Sequence, residues 1–356
     1  MSQTTIHEIV PNADTIIYLR NPCAEFADWV NVDENDHSTR SEQSLLGAAS
    51  SSISNAATLA EHGKENGPID ACKVRFQVCA GVLMSASPWF NRILKKDGWM
   101  ESCRNREDRR FHISAEDWDE EAFVILMNIF HLRYNKVPRA ITLEMLAKIA
   151  VLADYYECDE SIQLLVGIWV ADLKITAPIP KTYCRDLILW MWISWAFRLP
   201  ELFKVITTVV IKQSVEPVRT LGLPIPDWIT EEINLRRCQA FQSVISGLDN
   251  QIAIYRSPTY SCPVNSNHSF RCGSMLLGTL LKEMDSRCPS SPGLMKPYFG
   301  QKFDAFCNTV RTIRSEAWLL NSYESHFCNL STAVVTIVDA AVTSIEGLSL
   351  SKEMNP

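Results

Sequence analysis

The segment FQVCAGVLMSASPWFNRIL, residues 76–94, constrains the fold more than any other stretch of the chain. Its first residues alternate apolar and polar side chains, as in a half-buried strand, and the rest follows helical spacing. Ser87 and Pro88 interrupt the helical part. Serine is a favoured N-cap and proline fits the first position of a helix. We therefore predict two short helices that meet at an angle and cover a small sheet.

Two short stretches predict the strands of that sheet, DTIIYL at residues 14–19 and VRFQVC at residues 74–79. Between them, residues 31–70 are rich in Ser, Ala, Asn and charged residues and hold few large apolar ones. Such a composition cannot bury enough surface to offset its chain entropy, so we predict a disordered insertion. Closure entropy grows only logarithmically with loop length, and the two strands can still pair across it.

A short strand at 110–113 and three amphipathic helices are predicted to follow. The acidic run EDWDEE, residues 116–121, suits the first turn of the first helix because acids there favour the helix dipole. Thr142 and Asp159 are the predicted N-caps of the second and third helices. The sequence therefore indicates an α+β domain followed by further helices.

Proline-marked joints divide the remainder of the chain. Two helices split at Pro200 and a long amphipathic helix capped by Thr230 predict an all-helical extension over residues 176–257. A Cys-containing helical region is predicted over residues 258–350. The apolar stretch LILWMWISWAF, residues 187–197, is too short for a membrane span, which needs about 20 residues, and is predicted to be a buried helix.

The bulk composition is that of a globular protein, with 47% hydrophobic and 21% charged residues. A net charge of −7 argues against nucleic-acid binding through phosphate neutralisation. The arginines of residues 104–114 are predicted to lie in a solvated loop. The N-terminus has no signal-peptide pattern, so the twelve cysteines are expected as thiols or metal ligands in the cytoplasm or nucleus. No membrane partner is expected.

The ordered set of these features resembles the BTB/POZ domain over about residues 8–175. The sequence of residues 123–160 is particularly similar to that of the BTB proteins of filamentous fungi. Eight residues of the first part carry the resemblance, which implies that they form the fold core and the partner surface. They are Asp14, Phe76, Val78, Leu83, Ser87, Pro88, Phe90 and Leu94.

The resemblance implies a non-enzymatic protein-interaction domain, a sheet capped by helical hairpins that self-associates or holds a partner. Many BTB proteins bridge a substrate to a cullin ubiquitin-ligase scaffold, and others recruit transcriptional corepressors. The family often has a histidine and a basic residue where this chain has Cys79 and Ala80. In dimeric members that basic residue pairs with an aspartate at the position of Asp14. That charged pair is missing here.

A cysteine and histidine constellation near the end of the chain has two pairs of residues, each ahead of a predicted helix. The four are Cys262, Cys272, His326 and Cys328. Zinc favours thiolate and imidazole ligands in fours, so we predict a candidate structural zinc site. His268 is the alternative nitrogen ligand, and Ser331 the predicted cap of the last helix. The competing interpretation is that all of these are buried core thiols, as we expect for Cys307, because the tight C-x2-C spacing of zinc knuckles is absent.

No catalytic motif is present: neither a phosphate-binding glycine loop nor a nucleophile-elbow or zinc-protease pattern occurs. His112 lies in a predicted strand and is expected to be structural. Two functions remain. The first is an adaptor without a required cofactor, binding itself or another protein. The second is an enzyme with an unrecognised site near the C-terminal Cys/His cluster.

Overall fold

The chain folds into an α+β protein with a four-stranded sheet, a two-stranded sheet and many helices. The computed structural model describes residues 4–22, 25–29, 74–95, 100–287, 296–315, 318–321 and 324–350. The strands are β1 (Thr5–Glu8), β2 (Thr15–Arg20), β3 (Val74–Val78), β4 (Phe111–Glu116), β5 (Trp318–Asn321) and β6 (Glu324–His326). The helices are α1 (Ala80–Ala86), α2 (Pro88–Lys95), α3 (Glu120–Phe130), α4 (Leu143–Tyr155), α5 (Asp159–Thr176), α6 (Arg185–Ala196), α7 (Pro200–Gln213), α8 (Asp227–Arg256), α9 (Ser269–Arg287), α10 (Phe303–Arg311) and α11 (Leu330–Ser344).

Contacts divide the chain into two compact units. The first comprises Met1–Ile179, Ile188–Phe197 and Thr220–Pro224, and the second Pro180–Leu187, Arg198–Arg219 and Ile225–Pro356. The predicted insertion at 31–70 lies outside the described residues. The domain boundaries predicted at residues 175 and 257 stay predictions.

The sheet of the first unit has the strand order β1-β3-β2-β4. β2 and β3 pair as predicted, and the pairing is antiparallel, with Ile17 opposite Phe76. β4 runs parallel to β2 with Ile113 opposite Ile17. These three side chains are buried and form one row across the centre of the sheet. The ring of Phe123 in α3 packs edge-on against Phe76 at 4.9 Å between centroids, which joins α3 to the sheet.

One strand of the sheet was not predicted, and another was predicted too short. β1 is a short and largely exposed strand without alternating apolar residues, and its parallel pairing with β3 is what defines it. The strand predicted at 110–113 runs from Phe111 to Glu116, because each of its residues finds a partner on β2.

The break at Ser87 and Pro88 produces two helices, as predicted. The buried Ser87 hydroxyl accepts the Phe90 N–H at 3.1 Å and donates to the Tyr156 carbonyl at 2.6 Å. The Phe90 ring stacks on the Tyr156 ring with 4.8 Å between centroids. Helix α2 therefore packs against the C-terminal end of α4, a contact that the sequence pattern did not predict.

Most of the residues that carry the family resemblance lie in the core. Six of them are buried: Phe76, Val78, Leu83, Ser87, Phe90 and Leu94. Pro88 is exposed and Asp14 is half-buried. These side chains stabilise the fold, and only the last two lie at the surface where a partner can reach them.

Long-range side chains cap the N-terminus of α1. Asp14 accepts the Ala80 N–H at 2.8 Å and also pairs with Arg104 at 3.1 Å, and His131 accepts the Cys79 N–H at 3.1 Å. Burial lowers the pKa of His131, which keeps its ring neutral and able to accept. Cys79 and Ala80 are the two positions that differ from the BTB pattern, and the backbone N–H of each donates to a side chain of the same chain.

Replacing Asp14 by alanine is expected to cost about 1 kcal/mol of stability at pH 7, because a helix N-terminus loses its cap. Burial opposes ionisation of Asp14, but the Ala80 N–H, the Thr15 hydroxyl and Arg104 outweigh it and lower its pKa. A carboxyl with a depressed pKa in the folded state stabilises above its unfolded value and loses this effect as the pH falls. The cost of the substitution should therefore shrink between pH 7 and about pH 3.

Urea unfolding at both pH values measures this difference, with the exposed Asp249→Ala as the control. An equal cost of the Asp14 substitution at both pH values would contradict the assignment of Asp14 as an ionised cap.

Of the three helices that follow β4, the second begins at its predicted cap, the third begins one residue early, and the first has a cap that was not predicted. Asp119 accepts the Ala122 N–H at 2.9 Å at the start of α3, and Thr142 accepts the Met145 N–H at 3.1 Å at the start of α4. Asp159 is the first residue of α5 and not its cap, a position that Cys158 occupies without a side-chain hydrogen bond. The acidic run 116–121 thus contains the N-cap and the first residues of α3.

The apolar segment 187–197 forms the buried helix α6, as predicted. Its residues from Leu187 to Ile193 are fully buried. The indole N–H of Trp192 donates to the Ala147 carbonyl at 3.3 Å, and that of Trp190 to the Ala177 carbonyl at 3.2 Å. Among the described residues, no helix combines the length and apolar character that crossing a bilayer requires.

The second unit packs its helices around an apolar core. Residues of α8, α9, α10 and α11 form it, among them Phe241, Val244, Leu276, Phe303, Phe306, Leu330 and Val334. Cys307 lies in this core, as predicted. The prediction of an all-helical C-terminal region is wrong at β5 and β6, which pair antiparallel. Strands of four and three residues are too short to give a periodic signal.

Two predicted helix caps of the second unit were wrong. α8 begins at Asp227 after Pro226, and the Thr230 hydroxyl donates to the Asp227 carbonyl inside the helix. The N-cap of α11 is Asn329, not Ser331. α7 begins at Pro200 as predicted, because proline fits the first helical turn.

Candidate metal centre

The candidate centre is assembled from four separate local structures of the second unit. Cys262 lies in the loop after α8, Cys272 in the first turn of α9, His326 at the end of β6 and Cys328 in the loop before α11. Both pairs were predicted to lie ahead of a helix. Cys272 departs from this because α9 already begins at Ser269.

The structure brings the four predicted ligands together. Their ligand atoms all lie within 4.8 Å of one another. The Cys262 sulfur is 3.7 Å from the Cys328 sulfur and 3.5 Å from His326 Nε2. His326 Nε2 is 3.2 Å from the Cys272 sulfur. His268, the alternative nitrogen ligand, does not belong to the group.

These separations suit one tetrahedral ion. With zinc–sulfur and zinc–nitrogen bonds of about 2.3 and 2.0 Å, the edges of a tetrahedron are about 3.8 Å between sulfurs and about 3.5 Å between sulfur and nitrogen. The distances of Cys262 to Cys328 and to His326 match both edges. A disulfide needs about 2.05 Å between sulfurs, so Cys262 and Cys328 are free thiols.

Hydrogen bonds around Cys262 prepare it for ionisation. Burial opposes the charge, but the backbone N–H groups of Asn265 and Val264 outweigh it and lower the pKa of the Cys262 thiol. The Asn265 N–H reaches the Cys262 sulfur at 3.5 Å. Burial raises the pKa of Cys272 and of Cys328. Cys262 is therefore the thiol of the cluster whose surroundings most favour the charged form, and a bound cation would offset the charge of the other two.

Tyr260 is a neighbour of the centre that no sequence pattern singles out. Its hydroxyl lies 3.4 Å from the Cys272 sulfur. Burial raises the pKa of Tyr260, which keeps its hydroxyl protonated and able to donate to a thiolate. A hydrogen-bond donor beside a metal ligand orients that ligand and moderates its charge.

The burial of the centre determines which chemistry it can support. Cys262 and Cys272 are buried, His326 is 1% exposed and Cys328 is half-buried. Leu276, Leu330 and Val334 belong to the same buried cluster. Four protein ligands fill a tetrahedral coordination sphere and leave no position for water or substrate, which is the arrangement of a structural zinc site.

His112, which was expected to be structural, contacts side chains of a neighbouring loop and strand. His112 Nε2 lies 2.9 Å from Asp108, and its Nδ1 lies 3.5 Å from the Tyr18 hydroxyl. These contacts join β4 to its neighbouring loop and strand.

Comparison of the sequence with models of known protein families and with curated proteins gives no match.

Proposed function

We propose that this chain is a protein-interaction protein, with a BTB/POZ-like module at residues 8–175 and a helical region that a structural zinc ion stabilises. The observation that carries the proposal is the order of elements in the first unit. β2 and β3 pair across a long connection, the broken helices α1 and α2 follow, and β4 precedes α3, α4 and α5. The sequence resembles the BTB/POZ domain through this same order.

The Cys3His geometry supports zinc as the ion. Three thiols and one imidazole at tetrahedral separations are a zinc ligand set, whereas calcium and magnesium prefer oxygen. Zinc bound there would crosslink α9, β6 and the loops before and after them. Such a bond network stabilises the folded state, because the site does not exist in the unfolded chain.

The geometry favours the interaction function over the enzyme alternative. An enzyme that used this centre would need an open coordination position for water or substrate. Cys262, Cys272, His326 and Cys328 supply four ligands from the chain itself, so the centre has a stabilising role.

Affinity capture with the full chain in native extract, followed by cross-linking mass spectrometry, tests the interaction function. We expect the chain to recover itself or one other protein at stoichiometric level, with cross-links to the first unit. The cullin scaffolds and corepressors that BTB proteins bind are the classes to compare. Excess untagged chain is the control and should displace the partner.

Cross-links confined to the second unit, or no stoichiometric protein together with a monomeric chain, would contradict the proposal.

A further inference from the structure

Helix α5 carries an apolar stripe on the side that faces away from its own core. Its inward face is buried through Ile162, Val166, Trp169, Val170 and Leu173. On the opposite face, Leu164 is 79% exposed, Ile168 52% and Ile175 82%, and Ala171 is exposed as well. Large apolar side chains in a continuous exposed row are uncommon on a monomer and mark an interaction surface.

The spacing of the stripe is that of a helix-pairing seam. Leu164, Ile168, Ala171 and Ile175 are separated by four, three and four residues. This is the alternation of a and d positions in a heptad, which keeps one side of a helix facing a partner helix. The surface thus fits another helix.

The charges beside the stripe are self-complementary. Glu160 and Lys174 lie on the same flank, seven residues before and seven residues after Gly167. Both are exposed, and neither forms an ion pair among the described residues. A Cβ atom added at Gly167 would meet nothing within 4 Å, so the flank is open at the position midway between the two charges.

We propose that α5 binds α5 of a second copy of this chain, antiparallel, about a two-fold axis beside Gly167. Leu164 of each copy then packs beside Ile168 of the other, and Ala171 and Ile175 extend toward the first turn of the other helix. This inference rests on the proposed interaction function and names one partner for it.

The charge pattern selects the antiparallel direction. Because Glu160 and Lys174 are equidistant from Gly167, a two-fold axis there brings each Glu160 opposite the Lys174 of the other copy. In a parallel pair, Glu160 would face Leu165 and Gly167 would face Asp172 across the seam, with no pair of opposite charges. In a parallel pair, each charged residue would also lie level with the same residue of the other copy, so that like charges would be neighbours.

The size of the stripe sets the expected strength. A standard stable interface buries about 800 Å² on each partner. A contact centred on four side chains of one helix is smaller, so we expect a monomer–dimer equilibrium with a dissociation constant in the micromolar range.

Sedimentation equilibrium of the full chain over a range of concentrations tests the proposal. Ile168→Glu should weaken the dimer by roughly 30-fold or more, because it places a charge in the centre of an apolar contact. Gln163→Glu, which adds the same charge at an exposed position off the stripe, should leave it unchanged. Circular dichroism checks that both variants stay folded.

Exchanging the charges at Glu160 and Lys174 tests whether the partner is a second copy of the chain and whether the two helices are antiparallel. Glu160→Lys should weaken the dimer by roughly 3-fold to 10-fold, because each added lysine faces the Lys174 of the other copy. The double variant Glu160→Lys with Lys174→Glu should restore it.

A chain that stays monomeric at high concentration, a dimer that Ile168→Glu leaves intact, or a double variant that does not recover would overturn the inference. Loss of a different captured protein on Ile168→Glu, with a monomeric chain, would also overturn it. Such a result would leave the interaction function standing, because the chain would still bind another protein, through α5.

Discussion

If the proposed zinc is bound, replacing Cys272 by serine is expected to release it and to destabilise the second unit by at least about 4 kcal/mol, because loss of a structural metal is among the costliest single changes. For a unit of this size, that corresponds to a fall in Tm of roughly 10–15 °C. Cys272 is fully buried and lies 3.2 Å from His326 Nε2, so a serine there can neither replace the thiolate nor reach water.

The matched control for this substitution is Cys307→Ser. Cys307 is equally buried in the same core, but it is not one of the four clustered residues. It should cost only about 1–3 kcal/mol, the penalty for a buried hydroxyl, and the zinc should remain. Comparing the two variants separates loss of the metal from loss of a core thiol.

Zinc content and calorimetry measure the outcome. Elemental analysis of the purified chain should give one zinc per chain, and chelation should lower the Tm of the native protein but not that of Cys272→Ser. Protein purified without chelator that holds no zinc, and that keeps its Tm after the Cys272 substitution, would show that the cluster is a group of core thiols.

Replacing Arg237 by methionine is the second change with a large expected effect, at roughly 3–5 kcal/mol. Arg237 lies in α8 and is 1% exposed. Its guanidinium donates to the carbonyls of Ser214 at 3.0 Å, of Pro297 at 2.9 Å and of Gln301 at 2.9 Å, and also to that of Tyr298.

The geometry of Arg237 explains the size of this effect. Its acceptors belong to two segments, the end of α7 and the stretch before α10, which one planar side chain holds against α8. Each buried carbonyl that loses its donor costs the desolvation of an unsatisfied polar group. Burial lowers the pKa of Arg237, but the ordinary value of arginine is so high that it remains charged at neutral pH.

Urea unfolding measures the loss, and two further variants locate its cause. Arg237→Lys keeps the charge but not the planar fork of donors, so we expect an intermediate cost. Arg256→Met changes an exposed arginine at the end of the same helix and should cost a few tenths of a kcal/mol. If Arg237→Met proved as mild as Arg256→Met, the hydrogen bonds of the buried guanidinium would contribute nothing to stability.

The candidate metal centre illustrates how far residue types and spacing carry a prediction. Thiol and imidazole are the side-chain groups that zinc prefers, so the composition of the candidate set was visible from the sequence. Cys272 and His326 are 54 residues apart, and only the packing of α9 against its neighbours brings them together. Tyr260 was not predicted, because its place beside a ligand depends on that same packing.

The sequence alone determined the elements whose causes are local. The strands at 15–20 and 74–78, the helix break at Ser87 and the start of α7 at Pro200 follow from alternation, capping and the fixed backbone of proline. These effects act over a few residues, and neighbouring side chains suffice to produce them.

Only the tertiary structure decided the pairing of β1, the docking of Phe90 on Tyr156 and the burial of Arg237 in a cage of carbonyls. Each of these depends on groups that are distant in the chain. Their free energy appears only when the whole unit packs, because a buried polar group or an edge strand is stabilised by partners and not by its own neighbours.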